Sequence, residues 1–330
     1  MSNGVFIVSL DFELHWGGFE KWPLESYKQY FLNTRRVIPQ ILNAFHDFEV
    51  HATWATVGML FHDRKESLLK AAPPLRPSYK ARELSAYEFI NKFGIGDSEN
   101  EDPFHFGKEL VQKIGNTPFQ EIGSHTFAHY YCNEEGQTLD EFRADLQAAQ
   151  RSASMHNLKL RSLVFPRNQF NESYLRVCFE EGFLAVRDNP KDWFWSIQGT
   201  QNESFWKRLV RGTDAYFSVG KKGSFAIADL ANHSELPVSI PASRLFRPYN
   251  PKELFLNELK ITRIKEEMEW AARAGEAYHL WWHPHNFGHY PVESMVSLKK
   301  ILNHYAFCKE KYEMESLHMA EVAEQVLQNS

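Results

Sequence analysis

The chain is 330 residues long, with 43% apolar and 24% charged residues, a composition that supports a large buried core and excludes a disordered, collagenous or disulfide-scaffold protein. Lys and Arg number 37 against 42 Asp and Glu, a net charge of −5 without a basic stripe, which argues against nucleic acid as a partner. Cys132, Cys178 and Cys308 are odd in number and lack a Cys-x-x-Cys pair, which points to a reducing compartment and excludes a thiolate zinc site.

The first strand is read at Val5 to Leu10, an apolar run too short and too poor in basic flanks for a signal peptide. No run approaches a bilayer span, so a cytoplasmic location is expected. Helical spacing over 27–48 places Phe31, Ile38, Ile41, Leu42 and Phe45 on one face, with a kink expected at Pro39. Val50 to Val57 reads as a second strand. The stretch 62–116, broken by Pro-rich and polar runs, reads as an irregular insertion with short helices.

Phe119 to Ser124 is the next strand, and Thr138 with Glu141 opens a helix to Asn157 through a capping box. Strands are expected at 160–165 and 183–187 with a helix at 172–181 between them, and a short helix at 204–211. The stretch 213–250 is rich in Ser, Pro and Gly and reads as loop. Helices at 251–274, 292–312 and 317–327 and a strand at Ala277 to Trp282 complete the chain. Alternating strands and helices predict a mostly parallel α/β sheet or barrel, and one domain over 1–330 is simpler than two.

Three segments carry the chemistry. In SLDFELHWGG the strand period of two points Asp11 and Glu13 the same way, at the strand end where α/β barrels collect catalytic groups. Acids facing water or capping a helix are the competing reading. In EIGSHTFAHYYC, His125 and His129 stand four apart, a spacing that on a helical turn lets two imidazoles share a cation, although structural histidines also adopt it. Two imidazoles and one carboxylate suit zinc and leave a position for water, whose proton the second carboxylate could take. In AYHLWWHPHNFG a strand leads to His283, His285 and His289, where an imidazole could protonate a leaving amine.

SLDFE, GSHTFAH and LWWHPHN resemble, in order and spacing, the first, second and fifth motifs of the polysaccharide deacetylase family, also called the NodB-homology family or carbohydrate esterase family 4. The resemblance implies a distorted (β/α) barrel that removes acetyl groups from N-acetylated sugars with a divalent metal, usually zinc. It also implies Asp11 as general base, His125 and His129 as metal ligands and His283 as general acid. The first motif departs from the family's adjacent acids, since Phe12 separates Asp11 from Glu13. Only that spacing puts both carboxylates on one face, so Glu13 is assigned to the metal.

In VFPRNQF, Pro166 matches the third motif's proline, but Val164 replaces its arginine and Arg167 follows instead. Arg167 either orients Asp11, contacts an anionic substrate group or forms a surface salt bridge, and its backbone N–H falls where the family's oxyanion donor lies. In RDNPKDW, Asp188 or Asp192 stands where an acid would fix an arginine. Among the aromatic residues, 15% of the chain, Trp193, Trp282 and Tyr130 are the candidate rings for stacking on a sugar.

The expected activity is therefore a metal-dependent N-deacetylase, with zinc the first choice of divalent ion, acting, before export, on an amino sugar or a precursor of a surface glycan such as lipopolysaccharide. Hydrolysis of a non-sugar amide or cyclic imide, or sugar binding without catalysis, are the competing functions.

Overall fold

The computed structural model describes residues 3–189, 223–231 and 234–329. The helix expected at 204–211, together with Asp192 and Trp193, lies outside them. Eight strands, β1 (Val5–Phe12), β2 (Ala52–Thr56), β3 (Gln120–Ser124), β4 (Ser162–Leu163), β5 (Ala185–Asp188), β6 (Val238–Pro241), β7 (Arg244–Leu245) and β8 (Ala277–Trp282), pair in parallel in the order β6-β5-β4-β3-β2-β1-β8-β7. A short β9 (Glu315–Ser316) adds beside the start of β1.

The sheet curls because its two ends belong to one segment. Only Ala242 and Ser243 separate β6 from β7. The Ala242 N–H donates to the Asp188 carbonyl in β5 at 3.0 Å, and that of Ser243 to the His279 carbonyl in β8 at 2.8 Å. The result is a distorted (β/α) barrel. The stretch read as loop thus supplies its closure. Strands of four and two residues among Ser and Pro carry no detectable period.

Helices α1 (Leu24–Asp47), α2 (Lys65–Ala71), α3 (Ala86–Phe93), α4 (Lys108–Gly115), α5 (Leu139–Ser154), α6 (Glu172–Glu180), α7 (Leu254–Ala274), α8 (Pro291–Tyr312) and α9 (Met319–Gln328) are described. α1 is assigned as helix straight through Pro39. α5 begins with the expected capping box, in which Thr138 and Glu141 satisfy each other's backbone N–H groups. The insertion between β2 and β3 holds α2, α3 and α4, and its Phe104 carbonyl accepts from the His15 N–H at 3.3 Å, which ties it to the loop after β1. Among the described residues no helix is long and apolar enough to cross a membrane.

Every residue of β1 is buried, as expected for a parallel strand covered on both faces. Phe6, Val8, Leu10 and Phe12 join the larger core, which includes α1 residues Phe31, Ile38 and Phe45. Val5 and Ile7 join a smaller cluster with Val164, Ala185, Val238 and Ile240, to which α9 contributes Met319, Val322, Ala323 and Val326. The apolar lower half of the inner surface is thus packed by α9, while further along β1 the same face carries Ser9 and Asp11.

Met319 is fully buried in that cluster. Met319→Ala is expected to destabilise the protein by roughly 2–5 kcal/mol, the usual range for a buried Met truncation, read as a lower urea midpoint at unchanged slope.

Candidate active site

Beyond β1 the chain turns sharply. Leu14 takes a φ of 46°, and the turn Leu14–Gly17 folds back beneath Glu13. A Cβ on Gly17 would lie 2.1 Å from the Glu13 carboxyl carbon, so only glycine lets that carboxylate rest there. Its Oε2 lies 2.9 Å from His129 Nε2 and 3.3 Å from His125 Nε2.

The two histidines follow β3 on an irregular turn, not on the helical turn that their spacing suggested. Thr126 and His129 both have left-handed φ, 62° and 54°, which brings the rings to 5.0 Å between centroids. Side chains replace the missing helical bonds. Asp145 on α5 accepts the N–H groups of Phe127 at 2.6 Å and Ala128 at 3.1 Å, and Thr126 Oγ1 accepts that of Tyr130 at 2.7 Å.

His125 Nδ1 sits 2.8 Å from the Val164 carbonyl, which can only accept, so Nδ1 donates there and Nε2 is the nitrogen turned toward Glu13. His129 Nδ1 pairs with the Tyr131 hydroxyl at 3.0 Å. Burial lowers the His129 pKa, against the pull of Glu13. Burial drives the Glu13 carboxyl up, but His283 and hydrogen bonds from His125 and His129 hold it well below the usual carboxylate range. Two anchored imidazoles and one ionised carboxylate, all buried and with ligand atoms within 4.8 Å of one another, fit a divalent cation of zinc type.

Asp11 is held differently. Arg187 from β5, 1% exposed, forks onto both of its oxygens at 2.6 and 2.8 Å. The same guanidinium donates to Ser9 Oγ at 3.2 Å and Asn168 Oδ1 at 3.1 Å and lies 4.2 Å over the Trp281 ring. Burial raises the Asp11 pKa, yet Arg187 and His283 outweigh it and the carboxyl stays below its ordinary value. His283 Nε2 is 3.5 Å from Asp11 Oδ2 and 3.5 Å from Glu13 Oε1, with its side chain 27% exposed.

Asp11, Glu13, His125, His129 and His283 therefore gather at one point. The Arg167 guanidinium does not join them. It pairs with Glu20 and Glu134 and stacks 4.0 Å over Tyr131, while Arg187 occupies the place beside Asp11. Tyr130 turns into the core, its hydroxyl donating to Gln137 and the Thr138 carbonyl, and its neighbour Tyr131 touches His129. Trp282 is buried outside the barrel against Phe45, Phe246 and Phe287. Trp281, on the His283 face of β8, is the ring beside Arg187.

Searches find no matching family model and no matching curated protein. Solved structures do match. A Mycobacterium smegmatis protein described as a polysaccharide deacetylase superposes at a TM-score of 0.60 and 13% identity, covering 100% of this chain and 92% of its own. A Pseudomonas aeruginosa PAO1 protein described in the same terms gives 0.56 and 11%, covering 98% of this chain and 90% of its own. The chain has the polysaccharide-deacetylase fold. Puue allantoinase, also at 0.56 and 11% with coverage of 98% and 90%, shares it. In this deacetylase fold, Asp11 and Glu13 close β1, the two histidines follow β3, and His283 follows β8.

Removing the guanidinium would leave Asp11 buried and unpaired. Arg187→Met is expected to lower stability by roughly 3–5 kcal/mol, measured by urea unfolding.

Asp145 behaves oppositely to Asp11, because burial lifts its carboxyl to about 7 despite two backbone N–H bonds. The folded state therefore holds this proton more tightly than the unfolded chain. The stability it contributes is full below about pH 4 and lost as pH rises to about 7, a span worth on the order of 4 kcal/mol. Unfolding at several pH values should show wild type losing stability relative to Asp145→Asn over that window.

Proposed function

We propose that this chain is a divergent polysaccharide deacetylase that hydrolyses the N-acetyl group of an amino sugar or of a surface-glycan precursor. The observation that carries the reading is the pairing of two buried carboxylates with separate partners, Asp11 on Arg187 and Glu13 between His125 and His129. A divalent cation, of which Zn2+ suits these donors best, would be held by Glu13, His125 and His129 and would polarise the acetyl carbonyl and acidify the attacking water.

Asp11 takes the water's proton as general base. Its link to Arg187 keeps it ionised at neutral pH and fixes the direction of its oxygens. His283, within reach of both carboxylates and open on its other side, protonates the departing amine. The Arg167 backbone N–H is assigned to the tetrahedral oxyanion. The Trp281 ring is the wall for the sugar among the described residues, and Trp193 keeps its assignment from the sequence.

The three cysteines are buried free thiols, which supports a cytoplasmic reaction on a precursor, such as one for lipopolysaccharide. The likeness to an allantoinase favours a second reading, hydrolysis of a non-sugar amide or cyclic imide by the same base and acid. Acetate release from N-acetyl sugars, set against ring opening of imides, separates the two.

Asp11→Asn should retain metal while turnover falls by about 10² to 10⁴, the usual worth of a positioned base. His129→Ala should lose affinity for the activating ion first, read as a weaker dissociation constant in a zinc titration. Normal turnover by Asp11→Asn in a steady-state assay would overturn the assigned mechanism.

A further inference from the structure

Glu13 faces two pairs of imidazoles. While Oε2 looks toward His125 and His129, Oε1 lies 3.5 Å from His283 Nε2 and 3.7 Å from His285 Nδ1. These three donor atoms also lie within 4.8 Å of one another. His285 is 4% exposed, and its Nδ1 is buried without a hydrogen-bond partner. An imidazole nitrogen left so costs about 1–3 kcal/mol in lost hydration. Packing alone aims it. Its ring is set edge-on to Trp22 at 5.2 Å between centroids, near Tyr30 at 5.9 Å, and 4.9 Å from the His283 ring.

We propose that Glu13 Oε1, His283 Nε2 and His285 Nδ1 form a second divalent-cation site, joined to the first through the Glu13 carboxylate. The donor set, two imidazoles and a carboxylate, selects zinc-like ions over magnesium or calcium. Two-metal hydrolase sites place their ions about 3.5–4 Å apart, a spacing a bridging carboxylate spans. Because His283 is the part-exposed member, this site is the weaker of the two.

The consequence rests on the function proposed above. A cation here takes the His283 lone pair, so the imidazole can no longer carry a proton to the leaving amine. Low zinc then activates and excess zinc inhibits, with His285 setting the concentration at which inhibition begins.

Calorimetric titration of chelator-treated protein with Zn2+ tests the site directly. Wild type should bind two ions, His285→Asn one, His129→Ala one and Glu13→Ala none, each variant being checked for native near-ultraviolet circular dichroism. Asn keeps a polar atom near the Nδ1 position, so packing is largely retained. One ion in wild type, or two in His285→Asn, overturns the proposal. So does a single ion whose affinity falls in His285→Asn, which would make His285 a ligand of the first ion.

In the acetate assay, tenfold zinc over protein should slow wild type at least tenfold relative to its low-zinc rate and leave His285→Asn at its own. Equal inhibition of both overturns the link to His283. Two ions bound in the titration, with no acetate released at low zinc, would sink the deacetylase reading and leave the site standing. Acetate release with one ion would do the reverse.

Discussion

A carboxylate removed from water must be satisfied by its surroundings, and Glu13, 3% exposed, is the group around which the upper barrel is organised. Its charge is met by imidazoles from the ends of β3 and β8, and Gly17 gives it room. The backbone bears the strain. Among the nine described non-glycine residues with positive φ, Leu14, Thr126, His129, Arg167 and Asn168 all lie in the loops that bring groups to this site. Such conformations cost of order 1–3 kcal/mol each and persist only where neighbours enforce them. Asp145, buried on α5, is such an enforcer for the turn that carries His129.

The inner surface divides by chemistry along the axis. Below, small and branched apolar residues of the strands meet the buried face of α9. Above, Ser9, Asp11, Arg187 and His279 form a polar layer in which Ser9 Oγ pairs with His279 Nε2 at 2.8 Å and His279 Nδ1 with the Pro241 carbonyl at 3.0 Å. That carbonyl ends β6, so the polar layer reaches the strand that closes the barrel. Burial pushes the His279 pKa down to about 3, which keeps the ring neutral beneath the Asp11 and Arg187 pair.

The strand period and the strand-end rule place Asp11 and Glu13 on one face at the end of β1, whereas grouping them with His125, His129 and His283 comes from the family resemblance. Arg187 escaped because its partner is 176 residues away and an arginine ending an apolar strand reads as a solvent-facing terminus. Its neighbour Asp188 drew the attention instead. Two of the aromatic candidates, Trp282 and Tyr130, turn away from the site while a neighbour of each faces it, for different reasons. The parity that places His283 inward also places Trp281 inward and Trp282 outward, so that signal was present. Tyr130 and Tyr131 sit on a turn without any period, and nothing local separates them. The β6 to β7 segment was unreadable for want of length.

β1 occupies the middle of the sheet, with β2 on one side and β8, some 270 residues later, on the other. During synthesis its Val5 to Leu10 run has half its backbone ladder satisfied early, by β2, and half only after Ala277 to Trp282 has emerged. Pairings of such long range form slowly, and until then the unpaired edge of an apolar strand is exposed to other chains. The strand that leads to both carboxylates therefore keeps one apolar edge open to other chains until β8 arrives.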